Sequence, residues 1–192
     1  MAVHLSVESV ASLPALRLRP WRDGDLGELL AAHRDPEVRR WTTNPLDDEA
    51  AAARWLEAQQ EGWEAGSRYS FAVVAEGGTG DRGRLVGGAG VKEVEPEKVS
   101  AEVGYWVAAA YRGQGVASRA LEAVSQWALD VPDGLELDRL DLLHSVENEP
   151  SCAVAEKTGY ALMSLLDPLP PQFPAPSGGH LHARASAFAV TG

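Results

Sequence analysis

The sequence predicts an α/β (α+β) protein with one central mixed sheet and helices on both of its faces. Three observations support this fold class. Strand-like and helix-like segments follow one another as strand, helices, three strands, helix, strand, helix, strand, strand. Apolar residues make up 45% of the chain, which is enough to form a core. The length of 192 residues suits one domain, so we expect a single domain over residues 1–192 with a loosely ordered extension over residues 1–14.

The first third of the chain predicts one strand followed by three helices. Residues 16–21 (LRLRPW) alternate apolar and basic side chains, which indicates a half-buried strand ended by Pro20. Gly66 is predicted to end the third helix. Acidic residues stand where the helices would begin and are predicted to cap them: Asp23, Asp35 (followed by Pro36), and Asp47 or Asp48.

The remainder of the chain predicts most of the sheet. Residues 77–81 are rich in glycine and predict a hairpin loop, and the prolines between residues 168 and 176 predict a stiff loop. Helical spacing of apolar residues predicts helices over residues 115–129 and 150–157. The predicted strands cover residues 69–75, 85–94, 101–108, 139–144, a segment opening at 159–160, and 181–190.

Composition excludes several classes of partner. The formal net charge of −11 leaves no broad basic face for nucleic acid or anionic lipid, so we expect direct binding to neither nucleic acid nor membrane. No apolar run reaches the roughly 18 residues that a membrane-spanning helix requires. Residues 1–14 lack a cationic stretch followed by a long apolar core, so we expect no signal peptide and a cytoplasmic protein.

Cysteine and histidine usage predicts no metal site. Cys152 is the single cysteine, which excludes a disulfide framework and a cluster of cysteine ligands. Only His180 and His182 have the spacing of a metal-binding pair. Because no acidic partners stand near them in the sequence, we expect a surface or edge-strand role for both.

The segment most informative about chemistry is residues 111–118 (YRGQGVAS), between a predicted strand and a predicted helix. Arg112, Gly115 and Ala117 form an R-x-x-G-x-A pattern. Small residues allow a ligand to approach the main chain, and the N–H groups at a helix start can point at one anion. The pattern lacks the G-x-G-x-x-G spacing of a dinucleotide fold and the Lys-Ser/Thr ending of a P-loop. It therefore predicts a pyrophosphate-binding turn of another kind.

The segment resembles the acyl-CoA signature Q/R-x-x-G-x-G/A of the GNAT N-acetyltransferases. Residues 102–107 (EVGYWV), 111–117 (YRGQGVA) and Leu121 are similar to the RimJ/RimL-type branch, the ribosomal-protein N-terminal acetyltransferases. Residues 148–151 (NEPS), 154–157 (VAEK) and 159–160 (GY) match that branch's N-x-x-S and EK-x-G-F block, with Tyr in place of Phe. The opening LRLRPWRDGDLGELLAAHRDPEV is similar to that branch as well.

The resemblance implies a GNAT fold, a mostly antiparallel sheet splayed beside one strand, with acetyl-CoA as co-substrate and no metal. Acetyl-CoA would insert into the gap, and its pantetheine arm would pair with the strand edge. Asn148 would bond the pantetheine or the neighbouring strand; it could instead cap the following helix, or do both. The cofactor-binding residues implied are Val103, Tyr105, Trp106, Val107, Arg112, Gly113, Gln114, Gly115, Val116, Ala117, Ser118 and Asn148.

The implied reaction is direct attack of an amine on the thioester. Glu102 is the carboxylate candidate for the base, with a solvated strand-start Glu and a water path as alternatives. A main-chain N–H near residues 105–107 would bind the oxyanion. Many members place a tyrosine acid where this chain has Ala155. Ser151 is the candidate that replaces it, or else only a helix-start serine, and Cys152 is expected to be packed rather than nucleophilic.

The acceptor is predicted only as an amine, either a peptide N-terminus or a small molecule. Residues 32–45 and 166–179 would line its entrance, with Trp41, Trp63 and Phe173 as candidate walls or core residues. The acidic residues between Asp23 and Glu49 either attract the amine or act only as helix caps. Another acyl donor and a non-catalytic acyl-CoA-binding module are the alternatives. The protein is expected to be a monomer or homodimer.

Overall fold

An eight-stranded sheet forms the centre of the structure, a computed structural model that describes residues 3–43, 46–77, 83–170, 173 and 178–188. Its strands are β1 Leu5–Val7, β2 Leu16–Pro20, β3 Arg68–Ala75, β4 Arg84–Lys92, β5 Ser100–Val107, β6 Arg139–Ser145, β7 Ala161–Leu166 and β8 Gly179–Ala185. They lie in the order β1-β2-β3-β4-β5-β6-β8-β7. Only β5 and β6 pair in parallel, so the predicted mixed, mostly antiparallel sheet is confirmed.

The described residues also form five α-helices: α1 Leu26–Ala32, α2 Pro36–Trp41, α3 Glu49–Ala65, α4 Val116–Leu129 and α5 Glu149–Lys157. Asp35 caps α2 by accepting from the Val38 N–H at 3.0 Å, and Asp48 caps α3 in the same way. Gly66, with φ of 69°, ends α3 in the left-handed conformation that glycine adopts readily. None of the helices in the described ranges is long and apolar enough to cross a bilayer.

Two buried clusters fill the faces of the sheet. One face of β2–β6 packs against α4, where Leu121, Val124 and Ala128 are fully buried as the helical spacing predicts. The other face of β3 and β4 packs against α1 and α3 through Leu29, Leu56 and neighbouring residues. The successive residues of β5 divide between these faces, so Tyr105 packs against the α4 cluster and Trp106 against the α1–α3 cluster.

Three sequence predictions are wrong at this level. Residues 1–14 are not a loose extension in their described part, because Leu5–Val7 pairs with β2 and packs on the core. Asp23 does not cap the first helix: a 3₁₀ turn precedes α1, and Asp25 accepts from the Arg22 N–H at 2.9 Å. The last strand ends at Ala185 rather than near residue 190.

The histidine pair of β8 also lies elsewhere than expected. β8 is an interior strand, paired with β6 on one side and β7 on the other. His182 is only 2% exposed, and the surface or edge-strand role predicted for it is therefore wrong. The prediction failed because the sheet adds β8 between two strands that precede it in the chain. Of the hairpin loop predicted at residues 77–81, residues 78–81 lie outside the described residues, as do residues 171–172 and 174–176 of the proline-rich loop.

Candidate active site

The candidate active site is the gap that opens between β5 and β6. The two strands pair only over three residues, Ser100–Glu102 with Arg139–Asp141. Beyond Glu102 they diverge, while residues 103–107 stay paired with β4 on their other side. Within the described residues, the second edge of this stretch therefore has no strand partner. A free strand edge offers N–H and C=O groups to an extended ligand.

A cavity of about 810 Å³ occupies this gap and the space on either side of it. Thirteen of the fourteen predicted site residues line it: Glu102, Val103, Tyr105, Trp106, Val107, Arg112, Gly113, Gly115, Val116, Ala117, Ser118, Asn148 and Ser151. Gln114 does not line it, and its amide donates to the Ala110 carbonyl at 2.9 Å. The structure thus brings the three sequence motifs together around one cavity.

The turn before α4 has the geometry that the glycine pattern predicts. Gly113 and Gly115 have φ of 72° and 69°, a conformation that other residues rarely adopt. Gly115 is the N-cap of α4, and the first backbone bond of the helix runs from Arg119 N–H to the Gly115 carbonyl. The N–H groups before Arg119 therefore lack partners within the helix, and the helix dipole adds roughly half a positive charge at this end.

Arg112 and Arg119, which the sequence predicts beside this turn as partners of the anion, are both already engaged. The Arg112 guanidinium pairs with the Asp35 carboxylate at the start of α2, and this pair holds the pKa of Asp35 below its usual value. Arg119 donates to the carbonyls of Glu8 and Pro14 at 2.7 and 2.9 Å and does not line the cavity. Arg119 therefore holds the N-terminal segment in place instead of contributing to the anion site as predicted.

The cavity is cationic although the whole chain is acidic. Two carboxylates, Glu37 and Glu102, line it. Five cationic side chains line it as well: Arg40, Arg68, Lys92, Arg112 and Lys157. Four of these cations have no signal in the sequence, because only the fold gathers them from α2, β3, β4 and α5. Arg40, Lys92 and Arg112 are already paired with carboxylates. A polyanionic ligand would therefore meet a favourable local field chiefly at Arg68 and Lys157, although the net charge of the chain is −11.

Glu102 stands where β5 and β6 part and forms an ion pair across the β4–β5 hairpin. Its carboxylate lies 2.7 Å from Lys92 Nζ, and it is 9% exposed. Burial raises the pKa of Glu102 above its usual value, and Lys92 opposes that shift. A carboxylate with a raised pKa accepts a proton more readily than a solvated one. The alternative of a solvated strand-start Glu does not fit this burial.

Ser151 and Tyr105 meet on the opposite side of the gap. Ser151 lies in the first turn of α5, is 7% exposed, and has its Oγ 2.8 Å from the Tyr105 hydroxyl. Burial raises the pKa of the Tyr105 hydroxyl to about 12, so it stays protonated at neutral pH. Asn148 is the N-cap of α5, but its side chain makes no capping hydrogen bond. Its amide therefore remains available to a ligand in the cavity that it lines.

Two of the aromatic residues expected at an acceptor entrance line the cavity, Trp41 of α2 and Phe173 after β7. His33, at the end of α1, lines it as well. His33 is 3% exposed, its ring lies 5.3 Å from that of Trp106, and burial lowers its pKa to about 4. Trp63 instead packs among Tyr69, Phe71 and Trp127, in accordance with the core alternative.

The acidic residues of the N-terminal third are mostly held by partners. Asp25 forms a buried pair with Arg19, Asp35 pairs with Arg112, and Asp47 pairs with Arg39. Of the acids between Asp23 and Glu49, only Glu37 lines the cavity, where it accepts from the Trp41 indole at 3.0 Å. Capping and ion pairing therefore account for most of these acidic residues. Of this group, Glu37 alone lies where it could attract an amine into the cavity.

The chain matches a known protein family over most of its length. The model of the acetyltransferase (GNAT) domain matches residues 15–161. The chain belongs to the GNAT acetyltransferase family.

Individual GNAT relatives agree with this assignment. The ribosomal-protein-serine acetyltransferase of Escherichia coli is 33% identical over 82 residues, covering 43% of this chain and 44% of the relative. The matched stretch thus spans less than half the length of this curated relative. RimJ of Mycobacterium smegmatis, solved with CoA-disulfide, superimposes with a TM-score of 0.78 at 21% identity over 96% of this chain and 86% of that one. RimL, an L7/L12 α-N-protein acetyltransferase solved with coenzyme A, gives a TM-score of 0.77 at 17% identity over 93% and 97% of the chains.

One departure from the GNAT pattern is visible in the structure. Ala155, at the position where many members carry a tyrosine acid, is fully buried in the core on the inner face of α5. A hydroxyl does reach this region from another element, because Tyr105 of β5 contacts Ser151 of α5. Sequence analysis assigned Tyr105 to cofactor binding through its backbone and missed its hydroxyl, since no local spacing links residues 105 and 151.

Proposed function

We propose that this GNAT chain transfers an acetyl group from acetyl-CoA to a primary amine. The observation that carries the proposal is the unpaired edge of β5 over residues 103–107, which faces a cavity with anion-binding features at one end and aromatic walls at the other. An extended pantetheine arm has the length and hydrogen-bonding groups to follow such an edge. The diphosphate would then bind at the turn of residues 112–118, with Lys157 nearby.

The two faces of β5 divide the chemical tasks. Glu102 and Trp106 lie on the face that packs toward α1 and α3, where the aromatic entrance is. Tyr105 lies on the opposite face, toward α4 and α5. An amine entering beside His33 would therefore approach the thioester from one face, and the sulfur would leave toward the other.

The reaction proceeds by direct attack. The acceptor reacts as its neutral amine: the nitrogen bonds to the thioester carbonyl carbon, and Glu102 accepts the one proton that this nitrogen releases, directly or through water. A main-chain N–H of residues 105–107 stabilises the oxyanion. The C–S bond then breaks, giving the amide and the coenzyme A thiolate. Ser151 donates a hydrogen bond to that sulfur, and the thiolate takes its proton from solvent.

The acceptor class follows from the relatives. The curated relative from Escherichia coli is named for a ribosomal-protein serine, and on that ground we propose a protein or peptide N-terminus, acetylated in the cytoplasm. The lowered pKa of His33 keeps its ring neutral, so it would not repel an incoming ammonium. Among the residues that the structure describes, Glu37 is the one carboxylate besides Glu102 that lines the cavity.

The test measures release of free thiol from acetyl-CoA with peptides that begin with Ser or Ala, the same peptides with a blocked N-terminus, and polyamines. Turnover restricted to free N-termini supports the proposal. Turnover on polyamines alone would replace the acceptor class, and turnover only with longer acyl-CoA would replace the donor. Binding of coenzyme A without any turnover would indicate an acyl-CoA-binding module, and no binding at millimolar ligand would overturn the proposal.

A matched pair of variants tests the base. Glu102→Gln should lower kcat by about 10²–10⁴-fold, the range typical of a general base. Glu97→Gln, in the exposed turn between β4 and β5, should leave kcat unchanged. Equal activity of the two variants would assign proton removal to water alone.

A further inference from the structure

Four side chains that could bind a metal ion come together where α5 meets strands β6 and β8. His144 belongs to β6, His180 and His182 to β8, and Cys152 to α5. One ligand atom from each side chain lies within 4.8 Å of the others. The register pairs His144 with His180, and His182 lies two residues further along β8, so the three imidazoles share one face of the sheet. Cys152 of α5 lies next to these imidazoles.

In two of the histidines, a hydrogen bond at one ring nitrogen leaves the other ring nitrogen able to bind a cation. His144 Nδ1 lies 2.8 Å from the Ser145 carbonyl, and His182 Nδ1 lies 3.3 Å from the Tyr160 carbonyl. A carbonyl only accepts, so each Nδ1 carries the proton and each Nε2 is left with its lone pair. A backbone carbonyl on the far nitrogen is the usual outer partner of a metal-bound histidine.

One of those lone pairs has no protein partner. His182 is 2% exposed, and among the described residues its Nε2 makes no hydrogen bond. A buried acceptor without a partner is costly, which points to an occupant that the protein itself does not supply. The cysteine sulfur lies 3.1 Å from His180 Nδ1 and 3.6 Å from His144 Nε2. A tetrahedral zinc site with ordinary bond lengths places sulfur and nitrogen ligands about 3.5 Å apart.

We propose that Cys152, His144, His180 and His182 bind one Zn²⁺ ion. Three imidazoles and one thiolate form a borderline-soft set that suits zinc and disfavours Mg²⁺ or Ca²⁺. Binding converts the Cys152 thiol to a thiolate, and the proton released goes to solvent. All four positions of the tetrahedron are filled by protein, which is the arrangement of a structural rather than a catalytic zinc.

The site goes beyond the proposed acetyl transfer and supports the same cavity from behind. Cys152 directly follows Ser151 in α5, and His144 lines the cavity itself. A bound ion would fasten the first turn of α5 to β6 and β8, and would thereby fix Ser151 opposite Tyr105. The sequence predicted no metal because the ligands lie far apart in the chain and Cys152 has no cysteine partner.

The single cysteine makes the test specific. Untagged protein, purified under reducing conditions and stripped with a chelator, is titrated with Co²⁺ and then with Zn²⁺. We expect an equimolar Co²⁺ complex with a sulfur-to-cobalt charge-transfer band, which only Cys152 can supply, and its loss on adding Zn²⁺. Zn²⁺ but not Mg²⁺ should slow alkylation of the thiol at least tenfold. A cobalt complex without the charge-transfer band, or alkylation unaffected by Zn²⁺, would overturn the proposal.

Variants separate this site from surface binding. His182→Gln and Cys152→Ser should lose stoichiometric Zn²⁺ by elemental analysis, whereas His4→Gln, at an exposed histidine outside the cluster, should retain it. Retention of an equimolar ion in Cys152→Ser would contradict the assignment. The wild-type alkylation readout needs no variant and no acetyl transfer, so it stands whether or not the variants fold and whether or not the proposed reaction is correct.

Discussion

The Tyr105 hydroxyl lies 2.8 Å from Ser151 Oγ and joins β5 to the first turn of α5 across the gap in the sheet. Both groups are protonated at neutral pH, since burial raises the pKa of Tyr105 to about 12. A hydroxyl with so high a pKa does not surrender its proton to a thiolate, whose acid has a pKa of about 8.5. The pair therefore acts on the leaving sulfur by hydrogen bonding and orientation.

The first prediction concerns this pair. Ser151→Ala should lower kcat about tenfold, which corresponds to one lost hydrogen bond in the transition state. Tyr105→Phe should lower kcat less, because Ser151 Oγ–H remains but is less well oriented. Steady-state kinetics across the pH range should show no alkaline limb in the kcat profile that is caused by ionisation of Tyr105. A larger loss in Tyr105→Phe than in Ser151→Ala would reverse the roles of the two hydroxyls.

The second prediction concerns the pH dependence set by Lys92. Lys92 lowers a pKa that burial has raised, so Lys92→Met should raise the pKa of Glu102 further. If Glu102 must be ionised to act as base, the acidic limb of kcat/KM should move to higher pH by about one unit. The acceptor amine adds a limb of its own, but that limb is the same for both proteins.

Lys98→Met is the matched control for Lys92→Met. Lys98 pairs with Glu95 in the exposed turn between β4 and β5 and does not line the cavity. Its removal should leave the pH profile in place. An acidic limb unmoved by Lys92→Met would exclude Glu102 as the titrating base.

The raised pKa of Glu102 also makes the stability of the protein depend on pH. Because the folded-state pKa of Glu102 is raised, the free energy of unfolding falls as pH rises through the interval between its unfolded and folded pKa values.

The Lys92–Glu102 pair shows what sequence could have provided. The sequence Pro96-Glu97-Lys98 predicts a turn, and a hairpin centred on Glu97 sets residues 92 and 102, each five positions away, opposite one another. The pair was therefore available from the predicted turn and the strand register. The caps Asp35 and Gly66 were predicted correctly, and Asp48 was one of the two candidates for the start of α3, because cap signals are local.

Other features depend on contacts between residues distant in the chain. Tyr105 and Ser151 meet only because β5 and α5 border the same gap, and the histidine cluster exists only because β8 inserts between β6 and β7. The cationic lining of the cavity is hidden in the sequence by an overall charge of the opposite sign. Each of these features depends on where the fold places residues that are distant in the sequence. No rule based on local sequence spacing therefore predicts them.

The third prediction separates backbone strain from ligand binding at Gly115. A Cβ there would meet no atom closer than 3.8 Å, so Gly115→Ala costs stability through φ of 69° alone, by about 1 kcal/mol. Gly66 has the same φ and caps α3 away from the cavity, so Gly66→Ala should cost a similar amount. Only Gly115→Ala should also weaken coenzyme A binding, as measured by titration calorimetry. Equal affinities for the two variants would remove the turn from the proposed diphosphate site.

The fourth prediction concerns the buried hydroxyl that distinguishes Tyr160 from the phenylalanine of related motifs. Its oxygen lies 2.6 Å from Ser125 Oγ, and Ser125 Oγ donates to the Leu121 carbonyl at 2.7 Å. The serine proton is thus committed to Leu121, and the Tyr160 O–H must be the donor of the shared bond. The tyrosine is 2% exposed and the serine 0%.

The two single variants should therefore differ in stability. Tyr160→Phe removes the donor and leaves Ser125 still bonded to Leu121, at a cost of about 1 kcal/mol in the free energy of unfolding. Ser125→Ala leaves the Tyr160 O–H buried without an acceptor, at a cost of about 2 kcal/mol. The double variant should lie below the sum of the two, since the second change removes the orphaned group. Urea unfolding of the four proteins measures all three values, and a larger cost for Tyr160→Phe than for Ser125→Ala would mean that the serine is the donor.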